Sequence, residues 1–121
     1  MPAEIKRLTF EILRPFIDQA IAQGYRLTQN YFHQLTDSGK ICCPVTALTL
    51  PYIGKPGSIG QAELLGYHHD YLWGFVRGFD GKTTFFDERT DEEPHRLGRQ
   101  DGALVLQECV KYGYIKAKEK P

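Results

Sequence analysis

Residues 70–81 read DYLWGFVRGFDG, and two incompatible patterns run through them. Leu72, Phe75, Val76 and Phe79 recur at spacings of three and four, the stripe of an amphipathic helix. Tyr71, Trp73, Phe75 and Phe79 all fall on odd positions, as alternating strand residues would. Asp80-Gly81, followed by Lys82-Thr83-Thr84-Phe85-Phe86, has the form of a hairpin turn. For the helix, Asp70 can serve as N-cap and Gly78 as terminator. Against it, Gly74 in the interior costs about 1 kcal/mol. The helix is preferred, which makes the expected fold mainly α.

The flanking sequence extends this reading. Ile5, Leu8, Ile12, Phe16 and Ala20, widened by Leu13, Ile17 and Ile21, predict a helix closed by Gly24. Pro15 either kinks it or opens a second helix at its first position. The turn residues Thr36-Asp37-Ser38-Gly39, between Tyr31–Leu35 and Lys40–Cys42, predict one short β-hairpin, with a short helix over Gln29–Leu35 as the alternative. Pro44 opens a short helix with Cys43 as N-cap, and Pro51 is expected to stop it. Residues 51–60 read as loop, and Ser58 with Gln61 predicts a capping box for a helix closed by Gly66. Pro94 can start the last helical stretch, whose apolar stripe of Val105, Leu106, Cys109 and Val110 runs from about Gly102 to Tyr112. Residues 1–121 make one small helical domain, with 115–121 as a frayed tail.

Composition bounds the function. Fifteen lysines and arginines balance fifteen aspartates and glutamates, so no long-range field draws the chain to nucleic acid or anionic membrane. The same balance weakens repulsion between copies, which favours a homo-oligomer or a protein partner. No apolar run reaches 18 residues, and MPAEIKRLTF lacks the core of a signal peptide, so no membrane association and a cytoplasmic location are expected. Three cysteines, an odd number, fit reduced thiols better than a disulfide framework.

Several groups of residues could carry chemistry. Cys43, or its neighbour Cys42, stands at a helix N-terminus, where the dipole and open N–H groups favour a thiolate. His68 or His69 could act as base and Asp70 as its orienter, which would make a cysteine-dependent enzyme. The same cysteines and histidines are poorly spaced for zinc, because adjacent ligands chelate one ion badly. No metal or cofactor is therefore expected. Ala62, Gly66, Leu72 and Phe75 match a helix-turn-helix, but Arg77 is the one arginine on its second helix, so DNA binding ranks low. The loop Gly54–Gly60 lacks the order of a phosphate loop. Asp80, Asp87, Asp91 and Glu92 lack the spacing of a calcium loop. Tyr71, Trp73 and Arg77, beside Gly74 and Gly78, could form an interface in which small residues allow close packing. The leading expectation is a non-catalytic binding module that self-associates or docks a partner through these residues.

Overall fold

The computed structural model describes residues 5–29, 41–81 and 93–115. Among them lie six helices and one two-stranded sheet. The fold is mainly α with a small β element, as the reading of residues 70–81 requires.

Helix α1 spans Phe10–Ala22. Thr9 caps it, its Oγ1 accepting from the Ile12 N–H at 3.2 Å. Ile5 and Leu8 belong to an irregular segment before the helix, although Leu8 is buried. The helix continues through Pro15. The missing donor at Pro15 leaves the Glu11 carbonyl without its helical partner, and both residues are exposed, so water can replace the bond. Gly24, at φ +93°, ends α1 as expected. Its N–H donates to the Ile21 carbonyl at 2.9 Å, and the Tyr25 N–H donates to that of Ala20 at 3.0 Å, the paired bonds of a Schellman motif.

The described β element is a parallel pair. Strand β1 (Arg26–Leu27) pairs in parallel with β2 (Ile41–Cys42), in the register Arg26 to Ile41 and Leu27 to Cys42. Parallel strands cannot be joined by a tight turn, so this pair is distinct from the predicted hairpin of Tyr31–Leu35 with Lys40–Cys42. The predicted strand Tyr31–Leu35 and its turn lie outside the described residues.

Residues 41–50 are all buried, which places this short stretch at the centre of the molecule. Helix α2 covers Pro44–Ala47, with Cys43 as its N-cap. Pro51 does not stop this run. It sits in the first turn of α3 (Leu50–Ile53), where its absent N–H costs nothing. The buried hydroxyls of this region are satisfied locally. Thr46 Oγ1 donates to the Cys43 carbonyl at 3.0 Å, and Thr49 Oγ1 donates to that of Thr46 at 2.8 Å. Helix α4 (Ile59–Glu63) carries the predicted capping box, with Ser58 N–H donating to Gln61 Oε1 at 2.8 Å.

Helix α5 spans His69–Asp80 and is capped by His68 rather than Asp70. Gly78 lies inside it, and Gly81 at φ +73° ends it. Helix α6 runs over Glu93–Lys111, with Pro94 in its first turn as expected, so it begins nine residues before Gly102. Gly113 at φ +81° follows it, and the Tyr114 N–H returns to the Cys109 carbonyl at 2.8 Å. Ile115, placed in the frayed tail by its sequence, packs against the core, and residues 116–121 lie outside the described residues.

The α5–α6 contact dominates the packing. Gly74 faces the backbone of His95 and Gly78 that of Arg99, so both helices advance in the same direction. Gly98 in turn faces Tyr71 and Phe75, and Gly102 faces Phe75 and Phe79. A Cβ at any of the four would lie well inside 3.0 Å of a carbonyl oxygen on the partner helix. With hydrogen in that place, the two backbones approach closer than side-chain-bearing helices can, and Cα–H groups face carbonyls at about 0.5–1 kcal/mol per contact. The opposite face of α5 supplies Leu72, Phe75, Val76 and Phe79 to the core shared with Leu13 and Ile17 of α1 and Val45 of α2.

Candidate functional site

Cys42 and Cys43 are 0 % and 2 % exposed. Their surroundings reverse the expectation of a stabilised thiolate. Burial pushes the Cys42 thiol up to about 12, from an ordinary 9.0. Burial likewise raises Cys43, against a weaker opposing pull from the Thr46 hydroxyl, which lies 3.5 Å from Sγ. A helix of four residues has little macrodipole to offset desolvation. The charge that reaches Cys43 is that of Asp80, at the C-terminal end of α5.

His68, His69 and Asp70 stand at the other end of that helix. Twelve helical residues separate the two ends by roughly 17 Å. His68 Nδ1 accepts from the Asp70 N–H at 3.1 Å, closing the helix cap. His69 Nδ1 pairs with Glu63 of α4. Cys43 is buried at the start of α2 and both histidines are engaged locally, so no described contact assembles the Cys–His–Asp set expected from the sequence. Among the described residues, no three His, Cys, Asp or Glu side chains converge in a way that could hold a metal ion.

The remaining loop candidates resolve in the same local terms. In Gly54–Gly60, the Gly57 N–H donates to Thr49 Oγ1 at 2.7 Å and the Ser58 N–H to Gln61. Two donors of the supposed phosphate cradle are thus used inside the protein. Of the acidic residues considered for a cation, Asp80 is buried, while Asp87, Asp91 and Glu92 lie outside the described residues. Ala62, Leu72 and Phe75 are buried as a helix-turn-helix would have them, but α4 has only five residues and the α5 N-terminus presents two histidines and an aspartate.

The expected interface residues separate. Tyr71 is fully buried and cannot face a partner. Trp73 is half-buried against the core, with the His69 ring edge-on at 6.2 Å. Gly74 and Gly78 do allow close packing, and the surface they meet is α6 of the same chain. Arg77 is half-buried. It lines a cleft of about 500 Å³ between α5 and α6, together with Gly78, Arg96, Arg99, Gln100 and Leu106 among others. The Arg77 guanidinium is held 2.9 Å from Nε2 of the buried His95. Arg96 and Arg99 follow on the same face of α6, one turn apart.

On another side of the helix pair, Asp101 organises a buried polar network. Arg7 donates from Nε and Nη2 to its two carboxylate oxygens at 2.9 and 2.8 Å. The Tyr71 hydroxyl donates to Oδ2 at 2.5 Å and accepts from the Leu8 N–H at 2.6 Å. Burial and this carboxylate both raise the Tyr71 phenol, and the hydrogen bond to Asp101 raises Arg7. The network ties the segment before α1 to both α5 and α6. Asp101→Asn keeps the volume but replaces the ionised acceptor, leaving Tyr71 and Arg7 with weaker bonds. We expect a loss of about 2 kcal/mol in urea unfolding. Asp101→Ala should cost more, because it also opens a void beside Leu8.

Sequence reasoning did not find Arg96, Arg99, Asp101 or the partner glycines. One signal was present, since the spacing Gly74-x3-Gly78 recurs as Gly98-x3-Gly102. No protein-family model, curated protein or solved structure matches this chain.

Proposed function

We propose that this chain is a non-catalytic binding module that docks a partner in the cleft between α5 and α6. The observation that carries this reading is the arginine-lined wall itself. Arg77, Arg96 and Arg99 border one concavity whose apolar floor includes Ala103 and the half-buried Leu106. A concave surface that combines an apolar floor with a few charged groups is the usual form of a binding site. The rigid backbone contact beneath it holds both walls at a fixed separation, so little ordering entropy is lost on binding. The buried thiols, and the engagement of His68 and His69 in local pairs, favour this reading over a cysteine-dependent enzyme.

Site-specific photocrosslinking tests it. A benzoylphenylalanine placed at Gln100, on the cleft wall, should give a discrete adduct in cells that express the chain. The same group at Gln19, exposed on α1, should give none. Arg96→Glu should abolish the Gln100 adduct. An adduct of twice the chain mass would identify the partner as a second copy. No adduct at Gln100, or the same adduct at both positions, overturns the proposal.

A further inference from the structure

We infer that the groove between α1 and α6, on the other side of α6 from the arginine-lined cleft, takes an extended peptide segment whose apolar and cationic residues stand two positions apart. Two adjoining cavities make up this groove, and Thr9, Phe10 and Glu108 line both. The smaller, about 100 Å³, is walled by Leu8, Leu104 and Val105. The larger, about 480 Å³, is bordered by Glu11, Arg14 and Tyr112. Leu104 and Glu108 are four residues apart on α6 and share one face. Tyr112, just past the helix end, continues the spacing, its N–H donating to the Glu108 carbonyl at 2.9 Å. Leu104 is 57 % exposed and Tyr112 49 %, so two large apolar side chains left open to solvent flank one carboxylate.

Charge selects the occupant. Among the described residues, neither Glu11 nor Glu108 has a cation within ion-pair distance. The other charged groups at the groove are already engaged. Arg14 donates from Nε to the Tyr114 hydroxyl at 3.2 Å, and its guanidinium lies over the Phe10 and Tyr112 rings. Lys111 lies over the Tyr112 ring at 5.4 Å, and Asp101 is held by Arg7 and Tyr71. The unmatched charge is therefore negative, and it adjoins an apolar slot. A peptide cation with an apolar neighbour complements both. A bare metal ion does not, because no three His, Cys, Asp or Glu side chains among the described residues converge to hold one. The spacing follows from the helix. Leu104 and Glu108 lie about 6 Å apart along its axis. Alternate residues of an extended chain point the same way about 6.7 Å apart, so both side chains reach their sites together. Adjacent residues would point to opposite faces. The groove does not depend on the α5–α6 cleft, so either assignment can fail alone.

The probe is a pentapeptide blocked at both ends, glycine-leucine-serine-lysine-glycine, titrated into the isotope-labelled full chain and followed by amide NMR shifts. The shifts should saturate and centre on Glu11, Leu104, Glu108 and Tyr112. Replacing the lysine with norleucine should weaken binding about tenfold, and replacing it with glutamate should abolish it. Glu11→Gln and Glu108→Gln should each weaken binding about fivefold, and Leu104→Ser should do the same from the apolar end. Glu11 and Leu104 are exposed, so these two variants keep the fold even if Glu108→Gln does not, and melting temperatures measured alongside check this. Absence of saturation overturns the inference, as does equal binding of the norleucine peptide or of one with leucine and lysine adjacent. Shifts confined to the α5–α6 cleft overturn it too, as does displacement of the peptide by calcium chloride at equal concentration.

Discussion

Gly98→Ala should destabilise the protein by about 3 kcal/mol, although alanine is the better helix former by about 1 kcal/mol. The added methyl would collide with the Tyr71 carbonyl oxygen and crowd the Phe75 N–H, both of them backbone atoms of α5 that no rotamer change can move aside. The helices must then separate, and overpacking of this kind costs about 1–3 kcal/mol or more before lost contacts are counted. Here the losses spread, because the same backbone contact holds Tyr71 against Asp101 and sets the width of the arginine-lined cleft. For a chain of this size the melting temperature should fall by roughly 10 °C. Gly74→Ala meets the His95 carbonyl in the mirror-image position and should behave alike. The control is Gly60→Ala in α4, where the nearest atom to a new Cβ is Ser58 Oγ at 3.7 Å. That change should raise stability by up to about 1 kcal/mol. If calorimetry finds Gly98→Ala neutral, the close approach of α5 and α6 is wrong.

The same glycines explain where sequence reading worked and where it did not. Gly74 counts against a helix over residues 70–79 when propensity alone is considered. In the fold its cost is offset by the contact it permits, and the apolar stripe of Leu72, Phe75, Val76 and Phe79 prevails. Gly78 resembles a terminator for the same reason, yet it is the second contact point. Helix α6 illustrates a different difficulty. Its buried face before Val105 consists of His95, Gly98, Asp101 and Gly102, at helical spacing but without one apolar side chain. Hydrophobic periodicity therefore detects only the C-terminal half.

The site residues were legible to the degree that their chemistry is local. The Ser58–Gln61 capping box and the Gly24 terminus depend on neighbours within a few residues, and both are where the sequence puts them. The Cys43 expectation invoked a local field as well, but burial of the whole stretch 41–50 outweighs it. Arg7 and Asp101 are 94 residues apart, and no local pattern announces such a pair. Arg77 alone among the expected interface residues reaches the cleft, because its position on α5 turns it from the core toward α6.

Stability should fall steeply above pH 9, and the cysteines should be the cause. Burial raises all three thiols, with Cys42 and Cys109 pushed up to about 12. In the unfolded chain they ionise near 9.0. Below that pH both states hold the proton, so the full stability is present. Between 9 and 12 the unfolded state releases protons that the fold retains. The unfolded state therefore binds fewer protons, and linkage lowers the free energy of unfolding by up to roughly 1.4 kcal/mol per pH unit for each thiol. Above pH 10 the buried Tyr71 phenol acts in the same direction. Two or more such groups acting together would remove most of an ordinary domain's stability by about pH 11. Urea midpoints measured from pH 7 to 11 should be flat at first and then drop. Cys109→Ala should start lower, because it leaves a small cavity, yet show a shallower alkaline slope. The slope is the informative quantity, since a purely structural role for Cys109 would shift the baseline alone. Iodoacetamide at pH 8 should leave all three thiols unmodified in the native protein and label all three in urea. Rapid native labelling of Cys43 would instead restore the activated thiolate that its helix N-terminal position suggests, and with it the case for thiol chemistry.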